Sequence, residues 1–218
     1  MRLVLLGPPG AGKGTLSEAL VSHFSCAHIS TGDIFRAHQQ KNTEFGKLIA
    51  SYIDKGLFVP DDIVLQIIAE HLRIEVGEQG FIFDGFPRDI PQAEALEKLL
   101  AELHIKLDAV INLDVAVDML VQRLVQRRVC PKCKAVYHLI NRPPQKPELC
   151  DFDGEPLQHR HDDYEEVIVQ RMEQYTQKTA PLIDFYKKRG LLITVSGADT
   201  PDNVSSQVIT SLEALAKL

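Results

Sequence analysis

Gly7-Pro8-Pro9-Gly10-Ala11-Gly12-Lys13-Gly14-Thr15 stands between an apolar run, Leu3-Val4-Leu5-Leu6, and a helical pattern from Leu16 to Phe24. Strand, glycine loop, helix is the order a phosphate-binding loop needs. A polyphosphate is bulky and highly charged, so the backbone around it must come close and aim its N–H groups inward. Residues without Cβ allow that approach. The helix that follows adds its unpaired amides and the positive end of its dipole. In this reading Gly10, Ala11, Gly12 and Gly14 form the cradle, Lys13 reaches the outer phosphates, and the Thr15 hydroxyl sits near Mg²⁺. Gly7, Gly12 and Lys13 meet the Gly-x4-Gly-Lys spacing, but Gly14 separates the lysine from the hydroxyl residue that usually follows it.

The chain has 218 residues, enough for one large domain that carries inserted lobes. Its hydrophobic content of 44% and charged content of 25% are those of an ordinary globular protein. A net charge of −6 argues against a nucleic-acid or acidic-membrane binder, which needs a basic face. No apolar run reaches the roughly 18 residues that span a bilayer. The first six residues are too short for a secretory core and run into the glycine loop, so a cytoplasmic chain is expected. In that reducing compartment the clustered cysteines suggest a metal, not disulfides.

Apolar strand-like segments alternate with helical patterns. The expected strands are 2–6, 27–30, 80–83, 109–113 and 191–195. The expected helices are 13–24, 31–40, 45–55, 61–76, 90–103, 118–126, 163–189 and 201–217. Such alternation predicts an α/β fold, a parallel five-stranded sheet with helices on both faces. Two stretches break it. One holds helical patterns without a strand. The other, rich in Cys, Pro and short polar runs, contains a short strand at 136–140. The expected division is a core of 1–30, 77–126 and 162–218, a helical lobe of 31–76 and a small inserted lobe of 127–161.

Within the small lobe, Cys130-Pro-Lys-Cys133 is a Cys-x2-Cys knuckle, and Cys150-Asp-Phe-Asp153 repeats its spacing with a carboxylate in the last place. Zn²⁺ accepts three thiolates and one carboxylate in a closed tetrahedral site, so a structural metal is expected. Asp151 is a rival ligand, and His138, His159 and His161 are nearby alternates. The same thiolates also take Fe or Co. Cys26, between a helix and a strand, is expected in the core.

The glycine loop, the segment Ile29-Ser30-Thr31-Gly32-Asp33-Ile34-Phe35-Arg36 and the string Asp84-Gly85-Phe86-Pro87-Arg88 together resemble adenylate kinase. So do Arg123-x3-Arg127-Arg128, Arg160-His161-Asp162-Asp163 and Arg171. The resemblance covers essentially the whole chain, and the Cys lobe is similar to the long metal-binding lid of bacterial members. It implies a P-loop nucleoside monophosphate kinase fold and Mg-dependent conversion of ATP and AMP to two ADP. It further implies that Lys13 holds ATP phosphates, that Arg36 and Arg88 hold the AMP phosphate, and that Arg123, Arg160 and Arg171 reach the transferring group. Arg127, Val136, Tyr137 and Asp199 fall at positions beside ATP. Asp84, with Asp33 as a second candidate, holds Mg²⁺ waters. Thr31, Leu57, Phe58, Val59, Gly85, Phe86, Pro87 and Gln92 surround AMP. Arg36 and Arg88 are expected just past strand ends, and Arg123 and Arg127 on one helix face. A monomer is expected. The helical lobe and lid close over the substrates to keep water out. A kinase of another nucleoside monophosphate is the nearest rival, and a P-loop switch with a zinc ribbon a more distant one.

Overall fold

The structure is a computed structural model and describes residues 1–41, 43–75 and 79–215. Five strands, β1 (Arg2–Leu6), β2 (Ala27–Ser30), β3 (Phe81–Asp84), β4 (Ala109–Asp114) and a later strand at Leu192–Ser196, form one sheet. Every pairing in it is parallel. The order is β2, β3, β1, β4 and then the Leu192–Ser196 strand. The chain therefore leaves β1 toward one side of the sheet and later returns to its other side. Ligands bind at such a reversal, beyond the carboxyl ends of the strands. The glycine loop leaves β1 at that place.

The three central strands, β3, β1 and β4, are almost wholly buried because helices cover both faces, and their apolar runs are nearly unbroken for the same reason, whereas the two edge strands are part-exposed. One core joins Val4, Phe81, Phe83 and Phe86 to Ile49, Ile68 and Leu72 of the helical lobe. The other joins Leu3, Leu5, Ile82 and Ile111 to Leu16 and Leu20 of α1 (Lys13–Phe24) and to Val208 and Leu212 near the C-terminus. Cys26 belongs to this second core and is buried, as expected.

The helical lobe holds α2 (Thr31–Gln40), α3 (Glu44–Ile53) and α4 (Asp61–Glu75). Ser30 caps α2 by accepting from the Asp33 N–H, and Thr43 caps α3 by accepting from the Gly46 N–H, which satisfies amides the helices cannot. The expected end of α4 at Val76 and the boundary at 76/77 lie outside the described residues, as do 216–217 of the last expected helix. Beyond β3 come α5 (Ile90–Glu102), β4 and α6 (Val117–Val125).

Here the structure corrects the sequence reading. Arg127 is not on the helix with Arg123; it opens a three-residue strand, β5 (Arg127–Val129), which pairs antiparallel with β6 (Val136–His138). Residues of so short a strand carry no periodicity to read. The expected single helix 163–189 is also interrupted. A 3-10 turn at His161–Asp163 precedes α7 (Glu165–Gln174), then a π-helical turn at Tyr175–Thr179, then α8 (Pro181–Lys188). Pro181 has no N–H to extend the α-helical ladder, and the wider turn closes instead through Ala180 N–H to Tyr175 O at 2.8 Å. The sheet's last strand is β7 (Leu192–Ser196), followed by α9 (Pro201–Leu215). The remaining boundaries shift by a residue or two. Gly80, expected in β3, lies outside it at φ +83.

Candidate active site

Gly12 ends the loop at φ +101 and is the N-cap of α1. A Cβ there would meet nothing within 4 Å, so the conformation, not crowding, demands glycine. Ala11 is buried in the core beneath the loop, while Gly12 and Gly14 are exposed. The Lys13 ammonium donates to the carbonyls of Gly7 at 2.7 Å and Pro8 at 3.0 Å, which holds it over the loop. Burial pulls its pKa down to about 8, helped by the charges of Arg88, Arg171 and Arg127 and opposed by Asp84. Asp84 ends β3, and its Oδ2 lies 4.0 Å from where a Cβ on Gly14 would stand, beside the first turn of α1.

Most of the expected arginines converge beyond the sheet's carboxyl edge. Burial lowers Arg88 to about 10, with the Arg171 and Arg36 charges adding to it, and lowers Arg160 to about 9, with Arg36 and Arg127 adding. Groups perturb one another in this way only when they share a poorly solvated space. Burial opposes the charge on Asp162, but Arg171, Arg36, Arg127 and Arg160 outweigh it and hold the carboxyl at about 2. Arg36 is on α2, not at the strand end itself, and pairs with Asp33 at 2.6 Å. Arg123 stands apart from the cluster and donates to Gly197 O at 2.9 Å.

Thr31, Phe58, Val59, Gly85, Arg88 and Gln92 line a single cleft between α2, α4 and β3. Leu57 adjoins Phe58 in the chain but is not among the residues that line the cleft. Gly85 has φ +82, and its carbonyl accepts from Thr31 Oγ1 at 2.9 Å and from Arg88 Nε at 2.8 Å. The Arg88 guanidinium lies 4.8 Å from the Phe58 ring centroid. Phe86 and Pro87, joined by a cis peptide bond, have buried side chains and do not line the cleft.

In the small lobe Val136 and Tyr137 lie on β6. Tyr137 is buried, with its hydroxyl 3.5 Å from Cys150 Sγ and accepting from the Asp151 N–H at 2.8 Å. Its ring therefore serves the lobe interior. Ligand atoms of Cys130, Cys133, Cys150 and Asp153 all lie within 4.8 Å of one another. Cys133 and Cys150 sulfurs are 3.5 Å apart, and Cys130 Sγ is 3.4 Å from both Asp153 oxygens. Three thiols and one carboxylate at such spacing fit a tetrahedral metal of the zinc type. Asp151 is occupied elsewhere, accepting from the Gln145 N–H, and His138 Nδ1 accepts from Ile140 and Asn141 N–H groups. Asp199 caps the turn before α9, accepting from Thr200 N–H and Asn203 Nδ2.

Three contributors had no role in the sequence reading. Asp163, present there only within a motif, binds two of the arginines. Thr179 Oγ1 donates to Arg88 O at 2.7 Å from the π-helical turn, and no sequence signal marks it. Asp61 accepts from Gln92 Nε2, and only its place at a helix start was visible.

Residues 5–191 match the family described as Adenylate kinase. A protein named "Adenylate kinase" from Caldicellulosiruptor bescii is 48% identical over 212 residues, covering 97% of this chain and 99% of that protein. Proteins of the same name from Caldicellulosiruptor saccharolyticus and Alkaliphilus oremlandii are 47% and 46% identical, each over 97% of this chain and 99% and 98% of their own. A family match that runs through the loop, the arginine cluster and the cleft, with relatives aligned almost end to end, has one meaning: the chain belongs to the adenylate kinase family.

Proposed function

We infer that this chain transfers the terminal phosphoryl group of ATP to AMP, giving two ADP, with Mg²⁺ carried in on ATP. The observation that carries the reading is the convergence of Lys13, Arg88, Arg160, Arg171, Arg127 and Arg36 on one edge, close enough to lower one another's proton affinity or to share Asp162. Such crowding is costly without anions. Two nucleotide phosphates facing each other supply them.

Phosphoryl transfer asks for little covalent help. Lys13 and the loop amides hold the donor phosphates, with Gly10, Ala11, Gly12, Gly14 and Thr15 around them. Arg88 and Arg36 hold the acceptor phosphate. Arg160 and Arg171 stabilise the charge that spreads over the transferring group, and Arg123 joins them from the side of Gly197. Asp84, beside α1, orients waters of the Mg²⁺ shell. No general base is needed, since the acceptor oxygen is already anionic. Arg127, Val136, Tyr137 and the loop at Asp199 lie on the ATP side. The cleft of Thr31, Phe58, Val59, Gly85 and Gln92, adjoined by Leu57, takes the adenine of AMP, with Phe86 and Pro87 setting the backbone.

Residues 31–76 act as the AMP lobe and 127–161 as the lid, both closing on the remainder to exclude water. In the lid, Cys130, Cys133, Cys150 and Asp153 would hold Zn²⁺, which ties two turns together and takes no part in the reaction. The reading is of a monomer acting on ATP, AMP and ADP, and the net charge of −6 offers no basic face for nucleic acid. No helix among the described residues is long and apolar enough to cross a membrane.

The test is ADP formation from ATP with AMP, GMP, UMP or CMP, with metal content measured on the same preparation. AMP should be strongly preferred. Lys13→Gln should lower turnover about 10³-fold while leaving the fold intact. Equal rates with UMP would make this a different monophosphate kinase.

A further inference from the structure

Gln92 is buried at the first turn of α5, where its backbone N–H is held by Asp89 Oδ1 at 2.9 Å. Its side-chain amide has two further partners of opposite kind. Oε1 accepts from the Arg88 backbone N–H at 2.8 Å, and Nε2 donates to Asp61 Oδ1 at 2.6 Å. A backbone N–H can only donate, and an ionised carboxylate can only accept. The amide is thus fixed at both ends in one orientation. Reversing it would set N–H against N–H on one side and oxygen against oxygen on the other.

This leaves the second hydrogen of Nε2, for which no acceptor exists among the described residues, on a side chain that lines the cleft. We propose that Asp61 is a specificity-determining positioning residue: by pinning Gln92 it makes the cleft present an N–H, so that the acceptor base must bring an unprotonated ring nitrogen. The proposal rests on the reading that Gln92 faces the base of the monophosphate. Adenine N1 is such an acceptor. Hypoxanthine and guanine carry a hydrogen on N1 and would set a donor against a buried donor. A site of this kind rejects the wrong base strongly because its own polar group is left unpaired.

Asp61 touches neither the base nor the phosphates in this scheme and acts only through Gln92. Its neighbour Asp62 shares the start of α4, and so shares any general effect of a carboxylate on that helix end, but makes no hydrogen bond to Gln92. It is the natural control.

The experiment measures kcat and KM for AMP, 1-deaza-AMP (C–H in place of N1) and IMP in five forms: wild type, Asp61→Ala, Asp61→Asn, Asp62→Ala and the double variant Asp61→Asn with Gln92→Glu. Asp61→Ala should raise KM for AMP about tenfold, hold kcat within about twofold, and shrink the preference for AMP over 1-deaza-AMP about tenfold. Asp61→Asn, whose side-chain oxygen can still accept, should restore most of that preference. Asp62→Ala should change none of it. The double variant replaces the donor by an acceptor, held from the other side by the carboxamide introduced on α4, and should move the AMP-to-IMP preference about 100-fold toward IMP.

If the double variant moves base preference but Asp61→Ala does not, the role of Asp61 is overturned and Gln92 remains a base contact. If the double variant leaves AMP, 1-deaza-AMP and IMP ranked as in wild type, Gln92 does not face the base, and both readings fall. Loss of kcat and melting temperature in Asp61→Ala with discrimination intact would also overturn the proposal, since a merely structural residue behaves that way.

Discussion

Asp163 grips one edge of the Arg127 guanidinium with both oxygens: Nε donates to Oδ2 at 2.7 Å and Nη2 to Oδ1 at 2.6 Å. The carboxylate is wholly buried, and Arg171 Nη1 also reaches its Oδ1 at 3.1 Å. Arg127 opens the first strand of the small lobe, whereas Arg171 lies on α7. One carboxylate therefore sets the position of two cations that belong to different parts of the molecule.

Asp163→Asn keeps the shape and removes the charge. Arg127 then loses its bidentate counterion and Arg171 one of two, its pair with Asp162 at 3.1 Å remaining, which costs about 3 kcal/mol of stability. Turnover should fall about 100-fold, because Arg127 is no longer held on the ATP side and Arg171, left with Asp162 alone, is less firmly placed where charge develops. Urea denaturation and steady-state kinetics on the same protein check both effects. Unchanged turnover in a destabilised protein would show that the pair serves the fold alone.

The pH profile should carry the signature of Lys13. Its ammonium is half-deprotonated near pH 8 in the free protein. Above that pH, kcat/KM for ATP should fall by up to about tenfold per unit, while Lys13→Arg shows no such fall. Stability moves the other way. The unfolded chain keeps this proton to 10.5 and the folded chain only to about 8, so between those values the unfolded state binds more protons. The penalty for burying this charge is full below pH 8 and vanishes above 10.5. The stability of wild type relative to Lys13→Met, followed by denaturant titration across that range, reads it directly.

Removing the metal proposed for the lid should lower the melting temperature more than it lowers activity in the cold. The lobe's own core consists of Cys130, Tyr137 and Cys150 with Ala135 and Leu157 packed against them, and two of these are proposed ligands. So little apolar surface does not hold a lobe together without a cross-link. Chelation or Cys130→Ser, followed by thermal melting and assays at low temperature, should separate the two losses. Equal loss of both would mean that the metal does more than hold the lobe.

Gly85→Ala should raise KM for AMP about tenfold and cost about 1–3 kcal/mol, since φ is +82 there. The new Cβ would come within 2.9 Å of Thr31 Oγ1 and 3.3 Å of Arg88 Nη2. Both residues line the cleft. An AMP titration and a melting curve measure the two effects, and an unchanged KM would place the base elsewhere.

The chain's linear order alone was enough for the glycine loop, the five strands, the helices that cover them and the clustering of Cys130, Cys133, Cys150 and Asp153. Each of these depends on local pattern: runs of apolar residues, glycines at fixed offsets, paired knuckles. A strand buried on both faces must be apolar throughout, and a thiolate knuckle must close within a few residues, so such features are written in the immediate neighbourhood. Asp61 against Gln92, Asp163 against Arg127, Thr179 against Arg88 and Arg123 against Gly197 have no such trace, because each joins residues more than thirty positions apart. The break before Pro181 and the three-residue strand at Arg127 likewise escaped, the first because a helix can widen where it need not end, the second because a strand that short is defined by its partner. Local physics chose the elements and named most of the charged groups. Only the packed fold decided which carboxylate restrains which cation, since the balance between burial and pairing is settled by neighbours the chain brings from far away.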